Sequence, residues 1–529
     1  MIAAALRLAL AADNAGLTMD SPLYVHMAES LARLEDAPGP AHHGYSALVA
    51  LAGLALPGRE LPGRAVSMLC GLGLVLLVYR LARRSVPPWA ATLAAALVAV
   101  HPLLAVYSGP IMTESTFLAV LFSALLALAY DRPLAAGLGF GLSYAVRPEG
   151  LVAAAGALLL QRSGWRRAGL LAAGFVLIAA PYVGYLSWER GTFTLTPKAA
   201  LVHPPASGHA AEWRVQSVTP PPIEPERSLP ERIRWAAPEI AKHYLPNLAA
   251  HLGRLVEAWP WPLLILSLAG LLLSPGPVAG ILLQLLVIPM LVVAPEPRFA
   301  MLYLPALAVL AAVGAAALVA RLPRGQTWAA RAAVALAVAG VGQAWWGPPA
   351  WVALHFDDGP MAEMRAAGDW LRANGRPGQT VMDRKAYVPF FAGMGHVQLP
   401  DDDYETIVEY ARASGVDYLV LEEYVVETLR PQLLPLIADA AFREREGRLR
   451  DVFHVRGGPH TGVVVMAVVP RNDRRDGRSQ VPPAGELPGA AGTRWPISGS
   501  RTVRPRRRRG ARCPVSGRFR GVRFRPRRP

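Results

Sequence analysis

Between Ala65 and Trp346 the chain lays down one uncharged apolar run after another, and such runs need hydrocarbon rather than water around them. Residues 65–79 are bracketed by Arg64 and Arg80, whose long side chains can snorkel to an interface. Runs 85–113, 115–130, 133–146, 150–161 and 168–188 follow. Run 258–295 is too long for one helix, and Ser274-Pro275-Gly276-Pro277 divides it. Runs 299–320 and 332–346 close the series, with a short apolar piece at 2–12 ahead of it. By the length a bilayer crossing requires, this predicts about eleven helices. Charged residues make up 17% of the chain and its mean hydropathy is +0.29. Soluble domains carry about 25% charged residues, so a purely soluble enzyme is excluded.

The net charge of +16 suggests a nucleic-acid binder until it is located. Residues 471–529 hold 18 Arg, no Lys and three acids, which places +15 in the tail and +1 in the 470 residues before it. The tail is rich in Pro and Gly and without apolar periodicity, so it is expected to be disordered, and no nucleic-acid partner is expected. Cys70 and Cys513 are the only cysteines, which leaves no disulfide framework or thiolate metal site.

Arginines in short connections set the orientation. Arg80, Arg83 and Arg84, then Arg132, then Arg162, Arg166 and Arg167, then Arg321, Arg324 and Arg331 define four cytoplasmic turns. Alternation then places Ser108-Gly109-Pro110, Arg147-Pro148-Glu149, the 189–257 loop and Pro295-Glu296-Pro297-Arg298 outside. It works only if residues 45–56 do not cross, so these are read as an interfacial helix in the first outer loop. The 189–257 loop is Pro-rich, with a helix expected near 231–243. Composition turns soluble at 356–470, where 380–382, 418–421 and 462–468 read as strands with helices between them and Pro400-Asp401-Asp402 as a helix start. Domain organisation is therefore a membrane module at 1–350 with outer loops 14–60 and 189–257, a small extracytoplasmic α/β domain at 351–470, and the Arg-rich tail at 471–529. Asp401, Asp402 and Asp403 are read as a cap and a solvated face rather than as metal ligands.

The outer face gathers the polar residues that chemistry needs. Asp20 opens the segment Asp20-Ser21-Pro22-Leu23-Tyr24, whose Leu23, Met27, Leu31 and Leu34 share one helical face. Its plain reading is an N-cap, which Asp-Ser-Pro suits. Glu114 begins a span, where a carboxylate is costly unless paired or facing water and is a functional candidate for that reason. Arg147 and Arg298 stand in very short outer turns, against the cytoplasmic bias of the other arginines, and either can hold a phosphate through a charge-assisted fork. His42 and His43 precede the interfacial helix and suit an interfacial role, with His43 kept as a phosphate contact.

These stretches resemble the GT-C fold glycosyltransferases, in the branch of protein O-mannosyltransferases and the lipid A aminoarabinose transferase. The resemblance runs through Asp20, Tyr24, Ala28 and Leu31, His42-His43-Gly44-Tyr45, the helix from Arg64 to Leu81-Ala82-Arg83-Arg84, Tyr107-Ser108 to Thr113-Glu114-Ser115, Ala145-Val146-Arg147-Pro148-Glu149-Gly150, and Arg298 to Tyr303-Leu304-Pro305. It implies a mostly α, polytopic bundle in the plasma membrane with a small extracytoplasmic α/β domain. It also implies a polyprenyl-phosphate-linked sugar donor, transfer at the outer face to a glycan, lipid or protein acceptor, and a role in building the cell envelope. Asp20 inherits the part of general base and Glu114 that of the second outer acid, which places the acceptor or a divalent cation such as Mg or Mn. Arg147 and Arg298 fall where cations stabilise phosphate, with His43, Tyr24 and Tyr303 beside them as substrate contacts. Asp20 is followed by Ser21 where the branch usually has a second acid, and the helix before it is short of a full span, which is expected to mean an upstream start, a truncated helix or a cleaved signal peptide. A transporter of a lipid-linked saccharide and an inactive scaffold of the same fold are the alternatives.

Overall fold

The computed structural model describes residues 1–13, 17–18, 20–35, 37, 41–159, 164–190, 193–197, 229–273, 278, 281–282, 297–321, 326–347, 361–439, 442, 447–458 and 460–470. The membrane module comprises α1 (Ile2–Asp13), α2 (Ser21–Ala32), α3 (His43–Gly53), α4 (Leu61–Ala82), α5 (Pro88–Val100), α6 (Pro102–Val106), α7 (Thr113–Ala129), α8 (Pro133–Val146), α9 (Glu149–Leu159), α10 (Trp165–Arg190), α11 (Leu229–Ala258), α12 (Trp261–Leu273), α13 (Pro297–Ala300), α14 (Leu304–Ala320) and α15 (Gln326–Trp346). The expected tail and most of the Pro-rich loop, including Thr219-Pro220-Pro221-Pro222, lie outside the described residues, as does the 274–277 divider.

Among the described residues, α4 and the Trp165–Glu189 part of α10 are each long and apolar enough to cross a bilayer, and Ala241–Ala258 with α12 forms a third such unit bent by 108°. The other apolar helices are shorter because prolines cut the runs. Run 85–113 ends its first helix at Val100, restarts at Pro102 and turns again before α7. Leu69 and Leu76 on α4, Val176 and Leu177 on α10 and Leu272 on α12 all project from the bundle. Apolar faces of this extent are stable against hydrocarbon, and the protein is a membrane protein.

Pro102 has no N–H to give the Val98 carbonyl, and Arg7 of α1 supplies the missing donors. Its Nη2 donates to Val98 O at 3.2 Å, its Nη1 to Ala99 O at 2.7 Å and its Nε to Ser108 Oγ at 3.2 Å. The guanidinium of Arg7, midway along the short N-terminal helix, is thereby buried on these acceptors instead of facing lipid.

Close packing of α12 on α14 depends on two glycines. A Cβ at Gly314 would overlap the Leu266 carbonyl, and one at Gly270 would overlap that of Leu310. Ser267 Oγ bridges the same seam, donating to Leu307 O at 2.9 Å. Gly314→Val should therefore cost about 1–3 kcal/mol or more, since the obstacle is backbone and cannot rotate away. A thermal unfolding curve in detergent micelles checks this; an unchanged midpoint would show that the two helices are not locked.

Residues 361–470 build the α/β domain from α16 (Met361–Asn374), β1 (Thr380–Asp383), α17 (Tyr387–Ala392), β2 (Gly395–Gln398), α18 (Tyr404–Ala413), β3 (Tyr418–Glu422), α19 (Glu423–Thr428), α20 (Leu434–Ala438), β4 (Leu449–Val455) and β5 (Val463–Val468). The strand order is β2-β1-β3-β5-β4, with β2, β1 and β3 parallel and β5 antiparallel to both β3 and β4. β1, β3 and β5 are the expected strands, with each end shifted by a residue or less. β2 and β4 escape a reading of alternation: β2 is four residues long, and β4 carries Arg450 and Asp451 on an exposed edge. The helix expected to open at Pro400-Asp401-Asp402 is capped instead by Asp403, whose carboxylate accepts from Thr406 N at 2.8 Å, and Asp401 turns to Arg430 at 3.3 Å.

One face of the sheet packs with α18 on a core of its own, including Met382, Ile407, Leu419 and Met466. The other face, with α16 and α17, is continuous with the core of the membrane module. A two-residue bracket before α4 pins this contact. Arg59 forks onto Glu29 at 2.6 and 3.0 Å and donates to Phe390 O at 2.8 Å. Its neighbour Glu60 accepts from Arg365 at 3.1 and 3.2 Å. The α/β domain therefore sits on the first loop, against the helix that Asp20 opens.

Candidate active site

Pro22 in the first turn starts α2 and leaves Asp20 at the capping position, yet the carboxylate does not cap. Asp20 has φ −96° and ψ −12° and makes no side-chain bond to the helix. Instead Oδ2 meets Arg298 Nη1 at 3.1 Å, with 35% of the Asp20 side chain and 24% of that of Arg298 exposed. Ser21 secures the helix start. Its Oγ accepts from Thr18 N at 2.7 Å and donates to Ile111 O at 3.0 Å, fastening α2 to the turn ahead of Glu114.

Glu114 lies in the first turn of α7 and is buried. Its Oε1 pairs with Arg147 Nη1 at 2.8 Å. Arg147 ends α8 because Pro148 pushes the residue before it out of helical backbone, and at φ −150° and ψ 143° its side chain swings back across α7. There Nη1 also donates to Thr113 Oγ1 at 3.1 Å, while Nη2 pairs with Glu149 Oε1 at 2.6 Å. One buried guanidinium thus stands between two carboxylates, which is what keeps charge tolerable at that depth.

Tyr24 connects the two ion pairs. Its phenol is buried in the field of Asp20, Glu114 and Arg147 and bonds to Thr113, and its ring stands edge-on to Tyr45 at 5.2 Å. Tyr303, a few residues beyond Arg298, is buried with its hydroxyl 3.0 Å from His251 Nε2 and lies in the field of Glu149 and Arg147. Asp20, Glu114, Arg147, Arg298, Tyr24 and Tyr303 are therefore brought to one place. His43 takes a different position: Nδ1 is 3.1 Å from Tyr182 Oη and Nε2 is 3.0 Å from Ala37 O, within a ring cluster that includes Tyr185. The adjacent Gly44 lets α3 meet α8 there, since a Cβ would press on the Ala145 carbonyl at 2.7 Å.

Three further residues join the site. Thr113 and Glu149 sit within stretches whose importance was legible, but nothing local distinguishes them from a helix cap and a first-turn acid. Tyr387 comes from the α/β domain. Its phenol lies in the field of Asp20, Glu422, Asp383 and Arg384, and burial before any charge holds it well above the usual tyrosine range. Burial pushes the Glu422 carboxyl up to about 7. Asp383 beside it is held well above the ordinary carboxylate range, by burial first and by Glu422 second.

Among the described residues no three His, Cys, Asp or Glu side chains converge. In the cluster each acid already faces a guanidinium: Asp20 meets Arg298, and Glu114 and Glu149 meet Arg147. That donor set does not fit a divalent cation.

The helix bundle with its docked α/β domain is similar to one family profile over part of its length and to several solved structures in fold. Residues 45–188, from α3 through most of α10, match the profile of the dolichyl-phosphate-mannose-protein mannosyltransferase family and carry Glu114, Arg147 and Glu149. ArnT from Cupriavidus metallidurans, in the crystal structure bound to undecaprenyl phosphate, aligns with a TM-score of 0.52 at 12% identity, over 88% of this chain and 97% of that one. Its apo state gives 0.52 at 12% identity, over 85% and 93%. The Archaeoglobus fulgidus oligosaccharyltransferase in complex with Zn and sulfate gives 0.45 at 14% identity, over 86% and 72%. At 12% identity the likeness to ArnT is one of fold. No curated protein matches the sequence.

Proposed function

We propose that this protein is a multi-pass glycosyltransferase that moves a sugar from a polyprenyl-phosphate donor to an acceptor hydroxyl at the outer face of the plasma membrane. The observation that carries the reading is the half-exposed Asp20–Arg298 pair standing beside the buried Glu114–Arg147–Glu149 group. The ArnT that shares the fold is bound to undecaprenyl phosphate, a lipid phosphate of the kind that would leave from such a donor.

The acceptor oxygen attacks the anomeric carbon as its proton passes to Asp20, the one acid of the group with substantial exposure. The C–O bond to phosphate breaks, and polyprenyl phosphate leaves as an anion. A single displacement inverts the anomeric centre. Arg298, the more exposed of the two guanidinium groups, offers its fork to the phosphate. Arg147 is held between two acids and acts as a fixed positive charge. Glu114 is committed to Arg147 and Thr113, and its part is to position that charge rather than to take the proton.

The purified protein, incubated with a panel of radiolabelled polyprenyl-phosphate sugars and membrane acceptors, should release polyprenyl phosphate as label reaches the acceptor. Donor that is carried across vesicles without being cleaved would establish the transporter reading instead.

A further inference from the structure

Tyr387 stands at the opening of α17, just past the carboxyl end of β1. From β1 the chain goes first to β2 on one side and then to β3 on the other, so the crevice between the ends of β1 and β3 is a topological switch point, where open parallel sheets bind ligands. Asp383 ends β1 and Glu422 ends β3. Asp383 Oδ1 and Glu422 Oε1 are buried there without a hydrogen-bond partner among the described residues. The Tyr387 side chain, 4% exposed, makes no hydrogen bond among the described residues either, and it lies in the field of Asp20 across the domain contact. The bracket of Arg59 and Glu60 holds the segment next to Tyr387 against the first loop, through Phe390 and Arg365.

We propose that Tyr387 is an acceptor-binding residue: its phenol hydrogen-bonds the incoming acceptor and aims the reacting hydroxyl at Asp20, so that the acceptor subsite lies between the α/β domain and α2. The inference rests on the glycosyltransferase reading above. A neutral phenol has one donor hydrogen and two lone pairs, which matches the donor-and-acceptor character of an alcohol. Burial keeps this phenol neutral at physiological pH, so the donor hydrogen is retained. A phenol that bonds no other described side chain has its hydroxyl available to a ligand. The acceptor class that follows is an alcohol, and the membrane module alone would lack this contact.

The test uses the full-length protein with a radiolabelled polyprenyl-phosphate sugar and octyl β-glucoside as the hydroxyl probe. Tyr387→Phe should raise the KM for the glucoside about tenfold, while donor affinity and the thermal midpoint stay at wild-type values. Tyr387→Ala should raise it further, and Tyr387→His, which restores a donor, should recover part of the loss. Wild-type KM in Tyr387→Phe overturns the inference and leaves the function standing. Equal losses in donor affinity and thermal midpoint overturn it in favour of a packing role. A wild-type protein that cleaves no donor defeats the glycosyltransferase reading, and this inference with it.

Discussion

Asp20→Asn should lower sugar transfer by about 10²–10⁴-fold while leaving the protein folded, because the amide keeps the shape of the side chain but cannot take the acceptor's proton. The structural cost is small. The Asp20–Arg298 pair is partly exposed, and pairs of that kind contribute roughly 0–1 kcal/mol. The amide oxygen also still accepts from Arg298. Initial rates at saturating donor, read beside a thermal melt, separate the two effects. Unchanged turnover in a folded variant would remove Asp20 from the mechanism.

Arg147→Met should produce the largest loss of stability, about 3–5 kcal/mol, since it strips the buried Glu114 of its guanidinium and takes one partner from Glu149. Glu114 loses its guanidinium and, among the described residues, keeps Thr113, whose Oγ1 is 3.4 Å from Oε2. The thermal midpoint and the yield of monodisperse protein report the loss. Adding Glu114→Gln and Glu149→Gln should restore much of the stability by removing the uncompensated charge. The restored fold should still transfer sugar poorly, because the fixed positive charge is gone. A single variant as stable as wild type would show that the two acids do not depend on Arg147.

Most of the helical plan was legible because it is local. Uncharged runs, Arg flanks and prolines act within a few residues, and they set where helices begin and break. Asp20, Glu114, Arg147 and Arg298 stood out for a related reason, since an ionisable side chain at the edge of an apolar run is expensive and rarely idle. The edge strand β4 and the four-residue β2 were not legible, because neither carries enough alternation to separate it from a loop.

The chain's own pattern determined a membrane-embedded helical body, a small α/β domain after it and a short roster of polar residues at helix ends. Which of those residues meet was decided only in three dimensions. Asp20 lies 278 positions before its partner Arg298, and Glu114 lies 33 before Arg147. Attraction between charges depends on distance and on the medium between them, and neither can be read along a linear chain. The same holds for Tyr387: its strand-to-helix corner is ordinary in sequence, and only docking of the α/β domain on the first loop brings it to Asp20.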